Sequence, residues 1–174
     1  MRKAFLLAMM AFLFKGALGQ SRVPSPMRDE DPASVVVFLS PWCPISQKYI
    51  PALNAVYDAY AAKNVEFLAL MPGKVTADER RKFVEDYDVR FPVQADKRFR
   101  WTVNMEAAIT PEVFVLDRND ALQYRGAIDN WFYDLGRYRS QPTEHYLIDA
   151  LEAVLAGKTP EVRNTQATGC SIQL

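Results

Sequence analysis

Apolar positions along the chain follow two rhythms. Ser34 to Ser40 (SVVVFLS) and Val65 to Met71 (VEFLALM) are near-continuous runs rich in β-branched and large apolar residues, the pattern of strands buried on both faces. Between them Tyr49, Ile50, Leu53, Val56, Tyr57 and Tyr60 recur at helical spacing, which predicts a helix from Ile45 to about Lys63. Pro72-Gly73 stops the second strand. Thr76 followed by Glu79 carries a capping-box signature for a helix over Ala77 to Tyr87. Phe91 to Ala95 predicts a short extended piece and Phe99 to Met105 a weak helix. Glu112 to Leu116 and Ala121 to Arg125 predict a hairpin turning at Asp117 to Asp120. A last helix is expected from Thr143, read as a capping residue, to Ala156, with Gly157 as its C-cap. This order is an α/β plan with a mixed sheet. Its first two strands are expected parallel, joined by a right-handed crossover.

Composition narrows the function classes. The hydrophobic share is 49% over 174 residues, which suits one folded domain. Lys and Arg number 21 against 21 acids, with no basic run, so nothing points to nucleic acid. One histidine and two cysteines cannot fill an ordinary structural zinc site or staple a cysteine-rich scaffold. The reading calls for no metal and no other cofactor.

Met1 to Gly19 reads as a signal peptide, with Arg2 and Lys3, the apolar stretch Ala4 to Phe14, and Ala17-Leu18-Gly19 at the cleavage end. The stretch is shorter than the ~20 residues that span a bilayer. No stable membrane span is expected after cleavage, and the mature protein is expected in the periplasm or secreted. Residues 20–33 form a proline-rich lead-in arm, 34–157 the domain, and 158–174 a polar tail carrying Cys170.

Cys43 stands where the first strand ends and a helix begins. Unpaired N–H groups and the positive dipole end of a helix favour thiolate over thiol. Such placement lowers a cysteine pKa from about 8.5 to roughly 3.5–7.5, and the thiolate is the nucleophile. The plain alternative is a buried, inert cysteine acting as a small hydrophobe.

The segment Phe38-Leu39-Ser40-Pro41-Trp42-Cys43-Pro44-Ile45-Ser46 resembles the active-site segment of the thioredoxin superfamily, closest to its redoxin branch of AhpC/TSA-like and TlpA-like proteins. Pro51, eight residues after the cysteine, and Ile109-Thr110-Pro111 before the Glu112 strand extend the resemblance. It implies a thioredoxin fold, with a mixed central sheet flanked by helices, a redoxin-type insertion and a C-terminal tail. It also implies a cis-proline loop in which Thr110 pairs with an extended substrate chain, and Trp42, Pro44, Thr110 and Pro111 as substrate-binding residues. Cys43 would attack a protein disulfide or a peroxide, with an unidentified thiol as electron donor.

Departures from the family pattern sort the alternatives. CxxC is here Cys43-Pro44-Ile45-Ser46, so a neighbouring resolving thiol is missing and Ser46 cannot release a mixed disulfide by exchange. Ser46 is expected to hydrogen-bond the thiolate or help cap the helix. The acid that thioredoxins carry six residues before the cysteine is Val37, and the glutamate of TlpA-like proteins six residues after it is Tyr49. For Cys170 three readings stand: a resolving thiol for Cys43, a static cross-link worth up to roughly 5 kcal/mol in the chain-entropy model, or a thiol that is free or links to another protein. A thiol peroxidase with antioxidant activity would use Ser40 as its hydroxyl and Arg125 to polarise peroxide, although Val36 replaces that family's proline. A redox-silent binding module is the third class. His145 reads as a surface or capping residue. The aromatic stretch Ala127 to Arg139 reads as a groove cover, a partner contact, or a cluster sealing the last helix.

Overall fold

The computed structural model describes residues 32–174, so the expected leader Met1 to Gly19 and nearly all of the lead-in arm lie outside the described residues. Five strands form the central sheet: β1 (Ala33–Phe38), β2 (Val65–Pro72), β3 (Val93–Asp96), β5 (Glu112–Asp117) and β6 (Leu122–Gly126). Their order is β3-β2-β1-β5-β6. β1 pairs parallel with β2 and β2 with β3, whereas β5 runs antiparallel to both β1 and β6. This is the mixed sheet that the order of elements predicts.

All six residues of β1 are buried because alternate side chains enter two separate cores. Val35 and Val37 join one core with Ile50 and Leu53 of α1 (Pro44–Ala61) and Leu147 and Leu151 of α4 (Tyr146–Leu155). Val36 and Phe38 join the other with Leu68, Leu70, Phe114 and Met105. Trp101 of the short α3 (Arg100–Asn104) packs against this second core. A continuous apolar run is thus what a strand covered on both faces requires.

α2 (Ala77–Asp86) starts in the capping box read from the sequence: the Thr76 hydroxyl accepts from the Glu79 amide at 3.2 Å, and the Glu79 carboxylate accepts from the Thr76 amide at 2.8 Å. The last helix departs from expectation. It starts at Tyr146 rather than Thr143, because the Asn130 side chain takes the backbone there. Asn130 accepts from the amides of Thr143 and Glu144 and donates to the Thr143 hydroxyl. Exposed His145 occupies the N-cap position without a capping bond from its side chain. Gly157 ends the helix in a left-handed conformation, as expected.

Four short strands were not legible in the apolar pattern: β4 (Ile109–Thr110), β7 (Phe132–Asp134), β8 (Arg137–Tyr138) and β9 (Cys170–Ser171). β7 and β8 form a hairpin within the aromatic stretch. Its rings pack on α1, with Trp131 edge-on to Tyr49 at 5.3 Å between centroids and Phe132 5.6 Å from the same ring. Beneath them the Tyr49 hydroxyl donates to buried Asp129 at 2.6 Å, and Asp129 also accepts from the Trp131 amide at 2.8 Å. Burial, with the Asp129 carboxylate beside it, pushes the Tyr49 phenol well above its ordinary range.

This bond ties the first half of α1 to the 127–139 segment, and removing one partner leaves the other buried and short of a bond. Tyr49→Phe is therefore expected to cost about 1–3 kcal/mol in chemical denaturation. A midpoint unchanged from the parent would show that Asp129 is satisfied without it.

Candidate active site

Cys43 is the N-cap residue of α1, with Pro44 in the first helical turn where its missing N–H costs nothing. Ser40 makes the turn from sheet to helix: its carbonyl accepts from the Cys43 amide at 3.2 Å, and its hydroxyl accepts from the Trp42 amide at 3.3 Å. The fully buried Ser46 hydroxyl accepts from the Ser40 amide at 3.3 Å. Both serines therefore shape the loop that presents the sulfur.

Facing this loop is the Thr110-Pro111 peptide, which is cis. The Cys43 thiol donates to the Thr110 carbonyl at 3.1 Å. Glu112 and Arg125 hold the facing loop. The buried Glu112 carboxylate accepts from the Ala108 amide at 3.0 Å and from the Arg125 guanidinium at 3.1 Å. Arg125 also donates to the Glu106 carbonyl and lies 5.2 Å over the Phe114 ring. The guanidinium expected to polarise peroxide is thus engaged by Glu112 and Glu106.

The tail completes the site. β9 pairs antiparallel with β4, placing Cys170 opposite Thr110 and Ser171 opposite Ile109. The Thr110 hydroxyl donates to the Cys170 carbonyl at 3.3 Å, and the Ile172 amide donates to the Ala108 carbonyl at 2.9 Å. Gly169 is required by this approach: a Cβ there would stand 2.2 Å from the Thr110 carbonyl oxygen. The β4–β9 pairing thus brings Cys170 beside Cys43, 127 positions away in sequence, both as free thiols.

Their ionisations are unlike. Burial is the largest influence on Cys43 and pushes its pKa up. Donors from the Cys170 thiol, from Ser46 and from the Ile45 amide outweigh it, and the net direction is down. Cys170 is pushed up to about 11, by burial and by its bond to the charged Cys43 sulfur. Of the two neighbouring thiols, Cys43 is therefore the one that ionises more readily. A thiolate has no proton to donate, so on ionisation the Cys43 sulfur gives up its bond to the Thr110 carbonyl.

Cys43 is 1% exposed, whereas Trp42 beside it is 60% exposed. Trp42, Ser40, Lys74, Phe99, Thr110 and Cys170 line a cavity of about 550 Å³. Sequence reasoning had no access to Glu112, to the Tyr49–Asp129 pair or to the tail pairing. Glycine immediately before Cys170 was the one local sign of a close approach.

The AhpC/TSA family profile matches residues 20–125 of this chain. The chain belongs to the AhpC/TSA family. Within an AhpC/TSA reading, the curated relatives include the thiol-disulfide oxidoreductase ResA of Bacillus cereus, 33% identical over 86 residues that make up 47% of each chain. The chain thus spans about half the length of the curated relatives it matches. An uncharacterized conserved protein from Geobacillus kaustophilus superposes with a TM-score of 0.70 at 26% identity, covering 83% of this chain and 78% of the other. A candidate thioredoxin from Neisseria meningitidis superposes with a TM-score of 0.58 at 16% identity, covering 74% and 77%. The fold of this family member is the thioredoxin fold.

The charge on Cys43 depends on the tail, and that dependence is measurable without any substrate. Ultraviolet thiolate absorbance, corrected with Cys43→Ser, is expected to rise with a first midpoint on the acid side of an ordinary thiol. In Cys170→Ala, which lacks the thiol donor, the midpoint is expected to move alkaline. An unmoved midpoint would show that Cys170 is not the donor.

Proposed function

We propose that this protein is an exported two-cysteine thiol-disulfide oxidoreductase, with Cys43 as nucleophile and Cys170 as resolving thiol. The observation that carries the reading is the register of β9 on β4, which sets a protonated cysteine beside an ionisable one buried at a helix N-terminus. The named activity of the ResA relatives and the family membership support it. The segment Met1 to Gly19, read as an export signal, would put the chemistry where disulfides persist. Among the described residues no helix is long and apolar enough to cross a membrane.

The Cys43 thiolate attacks one sulfur of a substrate disulfide, forming a mixed disulfide and releasing the other substrate sulfur as a thiolate, which takes a proton from solvent. Cys170 then gives up its proton and attacks the Cys43 sulfur. The Cys43–Cys170 disulfide forms and the second substrate thiolate leaves. Two electrons pass from the cysteine pair to the substrate, and an external dithiol returns them. The same steps in reverse oxidise a client dithiol. Ser46 steadies the thiolate, and Thr110 and Trp42 border the space a substrate enters. Arg125, held by Glu112, acts on the position of the Thr110 loop rather than on peroxide.

Substitution separates the two cysteines' roles. Cys43→Ser is expected to abolish insulin-disulfide reduction. Cys170→Ser is expected to stop after the first exchange and accumulate a mixed disulfide on Cys43, visible by intact mass. Retained turnover in Cys43→Ser would exclude the reading, and hydroperoxide consumption without disulfide reduction would replace it with a peroxidase.

A further inference from the structure

We propose that the last nine residues, from Gln166 to Leu174, form a strap over Cys43 that must unpair from β4 before a substrate disulfide can react and must return to release it. This rests on the two-cysteine reading above and adds to it how access to the nucleophile is controlled.

Exchange at sulfur needs the attacked sulfur to come within bonding distance of the Cys43 sulfur. Cys43 is 1% exposed, and the neighbouring position is taken by Cys170, whose strand partner is Thr110. The cavity beside the site is lined by Cys170 and Trp42. A disulfide entering it meets the protonated cysteine first, which is the poor nucleophile of the two. The tail and the substrate therefore exclude one another.

Two neighbouring parts of the tail are held very differently. At 163–165 it is fixed to β6 and the turn beyond: the Arg125 amide donates to the Arg163 carbonyl at 3.0 Å, and the Thr165 amide donates to the Arg125 carbonyl at 3.1 Å. The Thr165 hydroxyl also accepts from the Ala127 amide at 2.9 Å and meets the Tyr124 hydroxyl at 2.5 Å. Beyond it, β9 is two residues long, with half-buried Cys170 resting on the first core and half-buried Ile172 on the second. Ser171 and Leu174 are exposed. Segments with few buried contacts open at the low end of the local-stability range. The structure has a hinge at Thr165 and a weakly seated strap beyond it. From that hinge Cys170 can reach no further than about 18 Å. The opened strap therefore keeps the resolving thiol close to the mixed disulfide.

Gly169 gives the means of testing this in the full-length chain, because any side chain there collides with the Thr110 carbonyl. In a Cys170→Ser background, Cys43 alkylation by iodoacetamide is measured at pH values where its rate no longer rises, so that access is read separately from ionisation. Adding Gly169→Val is expected to raise that plateau rate by at least about tenfold, since it removes the closed state that local opening must otherwise escape. Equal plateau rates would overturn the strap. The parent protein supplies a second measurement independent of the substitution. Hydrogen exchange at the Ile172 amide is expected to be at least about tenfold faster in the reduced protein than in the Cys43–Cys170 disulfide form, with β1 amides unchanged between them. Equal protection of Ile172 in both forms would also overturn it. Neither readout uses turnover. Failure of Cys43→Ser to lose activity would remove the oxidoreductase reading while leaving the strap measurements standing.

Discussion

One residue, Thr110, holds the two sulfurs together. Its carbonyl receives the Cys43 thiol at 3.1 Å, its backbone pairs with Cys170, and its hydroxyl donates to the Cys170 carbonyl. Two residues on, Glu112 ties the same loop to Ala108 and to Arg125 on β6. The sheet thus sets the facing wall of the site through β5 and β6, and the helix sets the nucleophile through α1. Moving the 108–112 loop would change the surroundings of both cysteines at once, which is why a buried carboxylate and a guanidinium are spent on fixing it.

The tail imposes two opposed effects on Cys43. Burial under β9 raises its pKa, and the thiol that β9 brings lowers it; donors from α1 add to the second effect, and the sum is downward. Lowering a thiol pKa also lowers the intrinsic nucleophilicity of its thiolate, with a Brønsted slope of about 0.4–0.5. A cysteine that is both shielded and stabilised is therefore stored rather than spent. Once the strap lifts, the Cys170 donor goes with it, and the exposed sulfur regains basicity as it gains access. Reactivity and exposure then rise together.

The central strands and most helices were legible because each carries a repeated pattern. β1 reads as a two-faced strand from Val35, Val36, Val37 and Phe38, and α2 announces its start with Thr76 and Glu79. Cys43 was legible as a candidate nucleophile because a strand end, a proline and a helix start meet at it. The rest depends on partners distant in sequence. Two-residue strands have no period, so β4 and β9, sixty residues apart, leave no mark beyond Gly169 before Cys170. Arg125 read as a candidate for polarising peroxide because its partners, Glu112 on β5 and Glu106 after α3, are not neighbours of it in sequence. Thr143 carries a capping residue's chemistry, but Asn130 reaches it first.

On the proposed two-cysteine reading, carrying the resolving thiol on a tail instead of in the first helical turn changes what the site can do. In a CxxC arrangement the second thiol sits beside the first throughout the cycle. Here the first turn offers Ser46, which can stabilise charge but cannot exchange. In that proposal Cys170 arrives on a strand paired with β4, the edge proposed for a substrate chain. The two steps of the exchange then need opposite positions of that strand, out for attack and in for release. The anchor at Thr165 makes the return fast because the ends to be joined are only a few residues apart. The close fit of Gly169 against the Thr110 carbonyl makes it register-specific. A side chain at that position would relax the register, and the sulfur of Cys170 would no longer meet that of Cys43.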